Sequence, residues 1–307
     1  MTKRAAFTTQ VVLLLAAGVT SAACSVRQLA VNAVGNALAS GTSSWAEDED
    51  LELIRDATPF ALKTIESLLA ENPRHRGLLL AAAAGFTQYA YAFVHAEADY
   101  LEGEDLARAT ALRRRAVRLY LRARAYGLRG LETNHPGLSA RLLADPGAAV
   151  AVTRRDDVAL LYWTAAAWGA AISLAKDNAE LAADLQAVEA LARRALALDE
   201  GFGEGAIHDF FIAFEGGRPA AAGGSAERAR AHFQRAVAIS RGRRSAPYVA
   251  LAESVCVGQQ NRAEFEALLR QALAVDVDAA PSQRLANQVA QRRASWLLAR
   301  SQELFLD

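Results

Sequence analysis

The chain has 307 residues, 52% of them apolar and 22% charged, with 34 basic side chains against 34 acidic ones. Two cysteines exclude a disulfide scaffold, the apolar share excludes a disordered polymer, and the balanced charge excludes a field that would gather nucleic-acid backbones. With 20 glycines, 7 prolines and abundant alanine, the composition favours helices over many short strands.

Lys3 and Arg4 precede an apolar run from Val11 to Val19 and then Thr20-Ser21-Ala22-Ala23-Cys24. Nine residues of helix reach about 14 Å, short of a hydrocarbon core of roughly 30 Å, so the run reads as a secretory signal peptide over residues 1–23. Ser21 and Ala23 suit an ordinary small-residue cleavage site, whereas Cys24 directly after them suits the lipid-modified cysteine of a bacterial lipoprotein. Ser21 stands where a lipobox usually has a large aliphatic residue, and Ser25 after the cysteine fits an outer-membrane address. If Cys24 is lipidated, Cys256 is alone and reads as a small buried hydrophobe in Val255-Cys256-Val257.

Residues 24–45 are expected to hold the lipidated N-terminus and a first helix, and residues 46–307 one helical-repeat domain. Ser44-x-x-Glu47 is a candidate capping box, and the seven prolines read as helix starts or turns. Helices are expected at roughly 47–71, 75–98, 104–132, 156–175, 178–198, 203–215, 225–241, 246–257, 261–275 and 281–304. Similar phrases end several of them, such as Ala195-Leu-Ala-Leu198, Ala236-Val-Ala-Ile239 and Ala272-Leu-Ala-Val275, at intervals of 41 and 36 residues. That spacing brackets known helical repeats without matching one strictly, so the expected fold is an all-α, tetratricopeptide-like solenoid of degenerate helix pairs.

Gly77–Val94 and Val158–Ala175 are uncharged for 18 residues each, long enough to nominate membrane spans. Their alanine content and polar members, Thr87, Gln88, Tyr91, Thr164 and Ser173, point instead to central helices with neighbours on every side. Phe86, Tyr89 and Phe93 share one stripe of the first, and Tyr91 points elsewhere; Tyr162, Trp163 and Trp168 lie on the second. His208 and Phe211 follow in the 205–215 segment. These aromatics are either core filler or, with Gln88, the lining of a ligand cavity that is mostly apolar with a few orienting polar groups.

The chemistry of an enzyme is not displayed. Histidines 75, 95, 135, 208 and 232 sit in no nucleophile motif, no His-x-x-x-His metal pair occurs, and the 216–224 glycine loop lacks the strand and Gly-Lys-Ser/Thr of a phosphate loop. No cofactor, metal site or nucleic-acid partner is expected. The basic runs Arg113-Arg114-Arg115 and Arg241–Arg244 read as solvated faces.

Four stretches together carry a family resemblance: Leu29-Ala-Val-Asn-Ala-Val-Gly-Asn-Ala-Leu-Ala-Ser-Gly41, Gly85-Phe-Thr-Gln-Tyr-Ala-Tyr91, Leu160-Leu-Tyr-Trp-Thr-Ala-Ala-Ala-Trp-Gly169 and Ala206-Ile-His-Asp209. Over residues 24 to 306 the chain resembles the TatT family, the T components associated with tripartite ATP-independent periplasmic (TRAP) transporters. The resemblance implies a non-enzymatic, periplasm-facing lipoprotein that forms homo-oligomers and engages the transporter's solute-binding P component. It also implies a pore or cavity in each subunit that could hold an apolar or amphipathic ligand, with membrane contact through the N-terminal lipid only. A structural outer-membrane lipoprotein without a small-molecule ligand is the rival expectation.

Overall fold

A computed structural model describes residues 42–306. The signal peptide, Cys24 and the expected helix before Gly41 lie outside the described residues. Those described are all-helical, with helix over most of the chain and no strand.

After a short α1 (Thr42–Ala46), α2 spans Leu51–Glu71. Its cap is Asp50, whose carboxylate accepts from the backbone N–H of Glu52 and Leu53, while Asp48 accepts from Asp50 itself. The acidic run therefore supplies the cap, and the expected box at Ser44–Glu47 is replaced by a helix start six residues later than Ser44. Pro59 also departs from expectation, lying inside α2 on its exposed side. α3 runs Arg76–Leu101 and contains a π-helical segment at Ala90–His95. α4 follows at Leu106–Glu132, capped by Asp105.

Two helices went unanticipated, α5 (Leu138–Ala144) and α6 (Pro146–Ala151), which share Asp145 as C-cap of one and N-cap of the other. A 3-10 turn at Arg155–Asp157 opens α7 (Val158–Leu174). The buried Asp157 carboxylate binds Arg76 at 2.6 Å, His135 at 2.9 Å and the Arg154 N–H at 2.8 Å, tying the starts of α3 and α7 to the end of α4. Then come α8 (Ala179–Ala183), α9 (Leu185–Leu198), α10 (Ala206–Gly216) and α11 (Ala226–Ser240). α12 (Ala246–Leu251) continues as a π segment at Ala252–Cys256, followed by α13 (Arg262–Leu273), α14 (Arg284–Ala299) and α15 (Ser301–Leu304).

Short connections make successive helices antiparallel neighbours. α3 packs on α4, α4 on α7, α7 on α9, α10 on α11 and α12, and α13 on α14. Within this order α3, α7, α10, α12 and α14 touch one another in succession and form one layer, with α4, α9, α11 and α13 laid against it. The circuit then closes, because α14 returns to α1 and α2. Arg284 donates to the Glu47 carbonyl, Gln288 to that of Glu49, and Arg292 pairs with Glu52.

Small residues set the spacing of the layers. Ala109, Ala116, Ala123, Gly127 and Gly130 form one buried stripe of α4, and a Cβ at Gly127 would lie 2.1 Å from the Thr164 Oγ1 of α7. The two helices that hold the uncharged stretches, α3 and α7, are long and apolar enough to cross a membrane by composition, yet each is packed against α4 and against the other. Buried apolar side chains form two clusters, one running from Leu62 to Phe214 and a second from Ile212 to Phe305, which meet on α10. Cys256 is fully buried in the second, as its apolar neighbours suggested.

Gly127→Ala tests the close crossing. Helix propensity alone favours alanine by about 1 kcal/mol, but overpacking against Thr164 costs about 1–3 kcal/mol. Urea unfolding is expected to show a net loss of stability, where an exposed helix glycine would show a gain.

Candidate functional site

Each helix of the first layer, or the turn that enters it, brings a polar group to a set that interacts across the layer. α3 brings Tyr91, α7 brings Tyr162, α10 brings Asp209, α12 brings Glu253 with Arg244 at its entry, and α14 brings Arg293. Tyr91 is 48% accessible, yet desolvation by the surrounding protein pushes its hydroxyl up to about 12, with Glu253, Arg293, Tyr100 and Asp99 acting on it electrostatically. Burial of a hydroxyl among neighbouring groups disfavours its charged form. Tyr162 is raised by burial first and then by Asp209, and it also feels Tyr91 from the neighbouring helix. Burial raises the Asp209 carboxyl as well, opposed by Arg244, which donates to its Oδ2 at 2.5 Å.

The π-helical segments found among the described residues both lie in this layer, and both face the same cluster. Ala90–His95 carries Tyr91, and Ala252–Cys256 carries Glu253. An extra residue in a helical turn re-aims the side chains that follow, which is why such turns recur at functional sites. Arg293 reaches across the closing seam to bind Glu253 at 2.7 Å and Asp99 at 2.9 Å, and Asp99 is held from the other side by Arg113 at 3.2 Å. Burial works against the charge of Arg293, but the Glu253 and Asp99 carboxylates outweigh it and raise its pKa. Its guanidinium lies 4.5 Å from the Trp296 ring centre, and Trp296 packs on Tyr100 at 5.2 Å.

The residues singled out from sequence divide between two environments. Gln88 and Tyr91, one turn apart, are exposed, and Tyr162 is half-buried against Trp163 at 4.9 Å and Phe202 at 5.3 Å. The Phe86, Tyr89, Phe93 stripe instead faces the neighbouring helices. Phe86 is buried and stacks on Tyr126 with Arg122 above it, Tyr89 is buried beside Phe93, and Phe93 packs on the first apolar cluster. Trp168 is 2% exposed beneath Arg124, and Phe211 is sealed under Arg193 and stacked on His232.

His208, 3% exposed, shares a 2.8 Å Nδ1 to Nδ1 hydrogen bond with His232 and meets Glu200 at 3.2 Å. The structure thus gathers Tyr91 and Tyr162 and sends Trp168, His208 and Phe211 elsewhere. Asp99, Asp209, Arg244, Glu253 and Arg293 were missed from sequence, where a charge inside a helix carries no sign of a partner far along the chain. No group of three or more His, Cys, Asp or Glu among the described residues could hold a metal ion. A shallow groove of about 590 Å³ between α6 and α9, lined by Val150, Ala190, Arg193 and Arg194, belongs to the outside and touches none of the inner-face groups.

Two measurements follow from these contacts. Arg293→Ala leaves the half-buried Glu253 without its cation and Asp99 with Arg113 alone, and is expected to cost about 3 kcal/mol. Hydrogen exchange should rise at 96–101 and along α14 while the α4 to α7 crossing keeps its protection. The imidazole pair sets an acid limit. Burial lowers His208, and burial together with His208 lowers His232 to about 4, both from an ordinary 6.5. Between those values the unfolded chain binds more protons than the folded one, so stability present above pH 6.5 is lost as the pH falls towards 4. Thermal unfolding across that window should show the decline, with a shallower slope for His232→Gln.

Comparison with known proteins places this architecture. The family model described as "TRAP transporter T-component" matches residues 47–305. A Treponema pallidum (strain Nichols) protein, described as uncharacterized, is 31% identical over 304 residues, covering 93% of this chain and 94% of the relative. T components are accessory to transporters of the TRAP class, and their setting is the bacterial cell envelope. The chain belongs to the TRAP transporter T-component family.

Proposed function

We propose that this chain is a lipid-anchored, periplasm-facing T component that docks a periplasmic solute-binding protein and holds or passes an apolar or amphipathic organic ligand. In this reading Cys24 carries the lipid at the outer membrane, and the helix pairs form a tetratricopeptide-like solenoid closed into a ring. The inner face around Tyr91 and Tyr162 is its ligand path. Assembly is as a homo-oligomer, and the protein performs no chemistry of its own.

One observation carries the proposal: Tyr91 is 48% exposed although it belongs to the layer that holds the cluster of Asp99, Arg293 and Glu253. A filled solenoid core would seal that side chain. The layer offers an apolar background of alanine with a few polar groups, the composition of a ligand cavity rather than of a catalytic centre. Arg244 and Arg293 are each matched by carboxylates, so the face carries little free charge.

The rival, a scaffold that handles no small molecule, draws on Trp168 and His208, which are sealed among their neighbours. Native mass spectrometry of protein taken from its own envelope separates the two. The proposal expects a co-purifying solute-binding protein, acyl mass on Cys24 and a retained organic ligand. Tyr91→Arg with Tyr162→Arg should then remove the ligand and leave the protein partner attached. A partner with no ligand in either form favours the scaffold, and absence of a solute-binding protein under conditions that preserve weak complexes defeats the docking half.

A further inference from the structure

α4 holds eight arginines and a single acid, Glu132, in a chain whose formal charge is balanced. At 3.6 residues per turn, Arg114, Arg118, Arg122 and Arg129 fall on one arc of the helix, with Arg115 at its edge. That arc lies opposite the buried Ala109, Ala116, Ala123, Gly130 stripe, so it faces outward. From Arg114 to Arg129 the row is about 22 Å long.

The other arginines of α4 are satisfied at its flanks. Arg108 meets Glu97, Arg113 meets Asp99 and Glu102, and Arg124 meets Asp184. On the outward arc only Arg122 approaches a carboxylate, Glu66 at 3.6 Å. Arg114, Arg115, Arg118 and Arg129 have no carboxylate in ion-pair range among the described residues; Arg115 lies 3.4 Å from the Tyr89 hydroxyl, and Arg129 donates to the Pro73 carbonyl at 3.0 Å. The latter contact brings exposed Arg74, in the turn after α2, to the end of the row. The acids that would neutralise such a row elsewhere in the chain are spent on helix caps, as at Asp50, Asp105 and Asp145.

What lies between the arginines narrows the partner. Beside the arginines of the arc the exposed residues are Ala111 and Ala125, and the exposed large apolar residue of α4, Leu106, is in its first turn and off the arc. A protein interface needs an aromatic or aliphatic anchor free to bury at its centre, and the rings beneath this row, Tyr89, Phe86 and Tyr126, are already covered by Arg115, Arg122 and Arg129. Guanidinium forks without an apolar centre match an extended array of phosphates. In a cell-envelope protein the extended polyanion at hand is phospholipid. We propose that the arginine row of α4 seats the protein on an anionic phospholipid surface, a second membrane contact beside the N-terminal lipid. One acyl anchor and one basic patch are the pairing that converts reversible attachment into a stable, oriented one.

The test uses the full chain with Cys24→Ser, so that no acyl group contributes, in co-sedimentation with vesicles of phosphatidylcholine alone or with about 30% phosphatidylglycerol, a strongly anionic surface. The parent should partition onto the anionic vesicles and release as salt rises. Arg114→Glu with Arg118→Glu should weaken that partition at least ~10-fold, whereas Lys176→Glu, the same kind of charge reversal away from α4, should leave it unchanged. The milder Arg114→Gln with Arg118→Gln should lose binding in the same direction, and circular dichroism checks that each variant is folded. Equal partition onto both vesicle types, insensitivity to salt, or a charge-reversed variant that binds like its parent would overturn the proposal. So would a soluble acidic protein held by the row while vesicles are ignored.

Discussion

Arg293 is the contact on which the arrangement turns. It stands near the end of the chain, and its two carboxylate partners come from the third helix and the twelfth, so a single guanidinium fastens three parts of one layer. Without that fastening the helices would still stack, because each neighbouring pair is held by apolar burial. Elsewhere around the circuit the joints are built from alanine, glycine and leucine, whereas the closing seam is built from arginines, backbone carbonyls and one aromatic pair. Exposed ion pairs contribute about 0–1 kcal/mol each, so the less exposed Arg293 knot carries most of the closure.

The two layers divide the labour. Small residues on α4 let α7 approach until a methyl group would collide, and this closeness turns a row of helices into a thick wall. Large rings such as Phe86, Trp168 and Phe211 fill the space between layers under arginine guanidiniums. Having given its bulk to that seam, the wall presents mainly alanine, two tyrosine hydroxyls and compensated ion pairs to the inside. The aromatics that stand out by abundance in the sequence are therefore mostly the ones packed between the two layers.

Helix positions were readable because the apolar period and the turn residues agree over long segments, as in α4 and α11. Residues 133–155 were not, since Asn134, Pro136, Gly137, Pro146 and Gly147 read as loop while Asp145 and Pro146 in fact start a helix. The candidate face was half visible. Tyr91 stood off the Phe86, Tyr89, Phe93 stripe by helix geometry alone, and that offset is what places it on the other side of α3. The partners of Arg293 and Arg244 could not be read, because burial and closure decide which distant charges meet. A π turn shifts the register by one residue, and nothing in the apolar pattern at Ala90–His95 announces it.

The two apolar clusters, joined on α10, also order events in time. Helices from α2 to α9 can bury their faces against near neighbours as soon as they emerge, and the later ones can do the same. The contact between Arg292 and Glu52 links positions 240 residues apart and cannot form until Arg292 has been synthesised. The closing contact is thus the last thing this protein acquires, and until then its helices are held only by packing between neighbours along the chain.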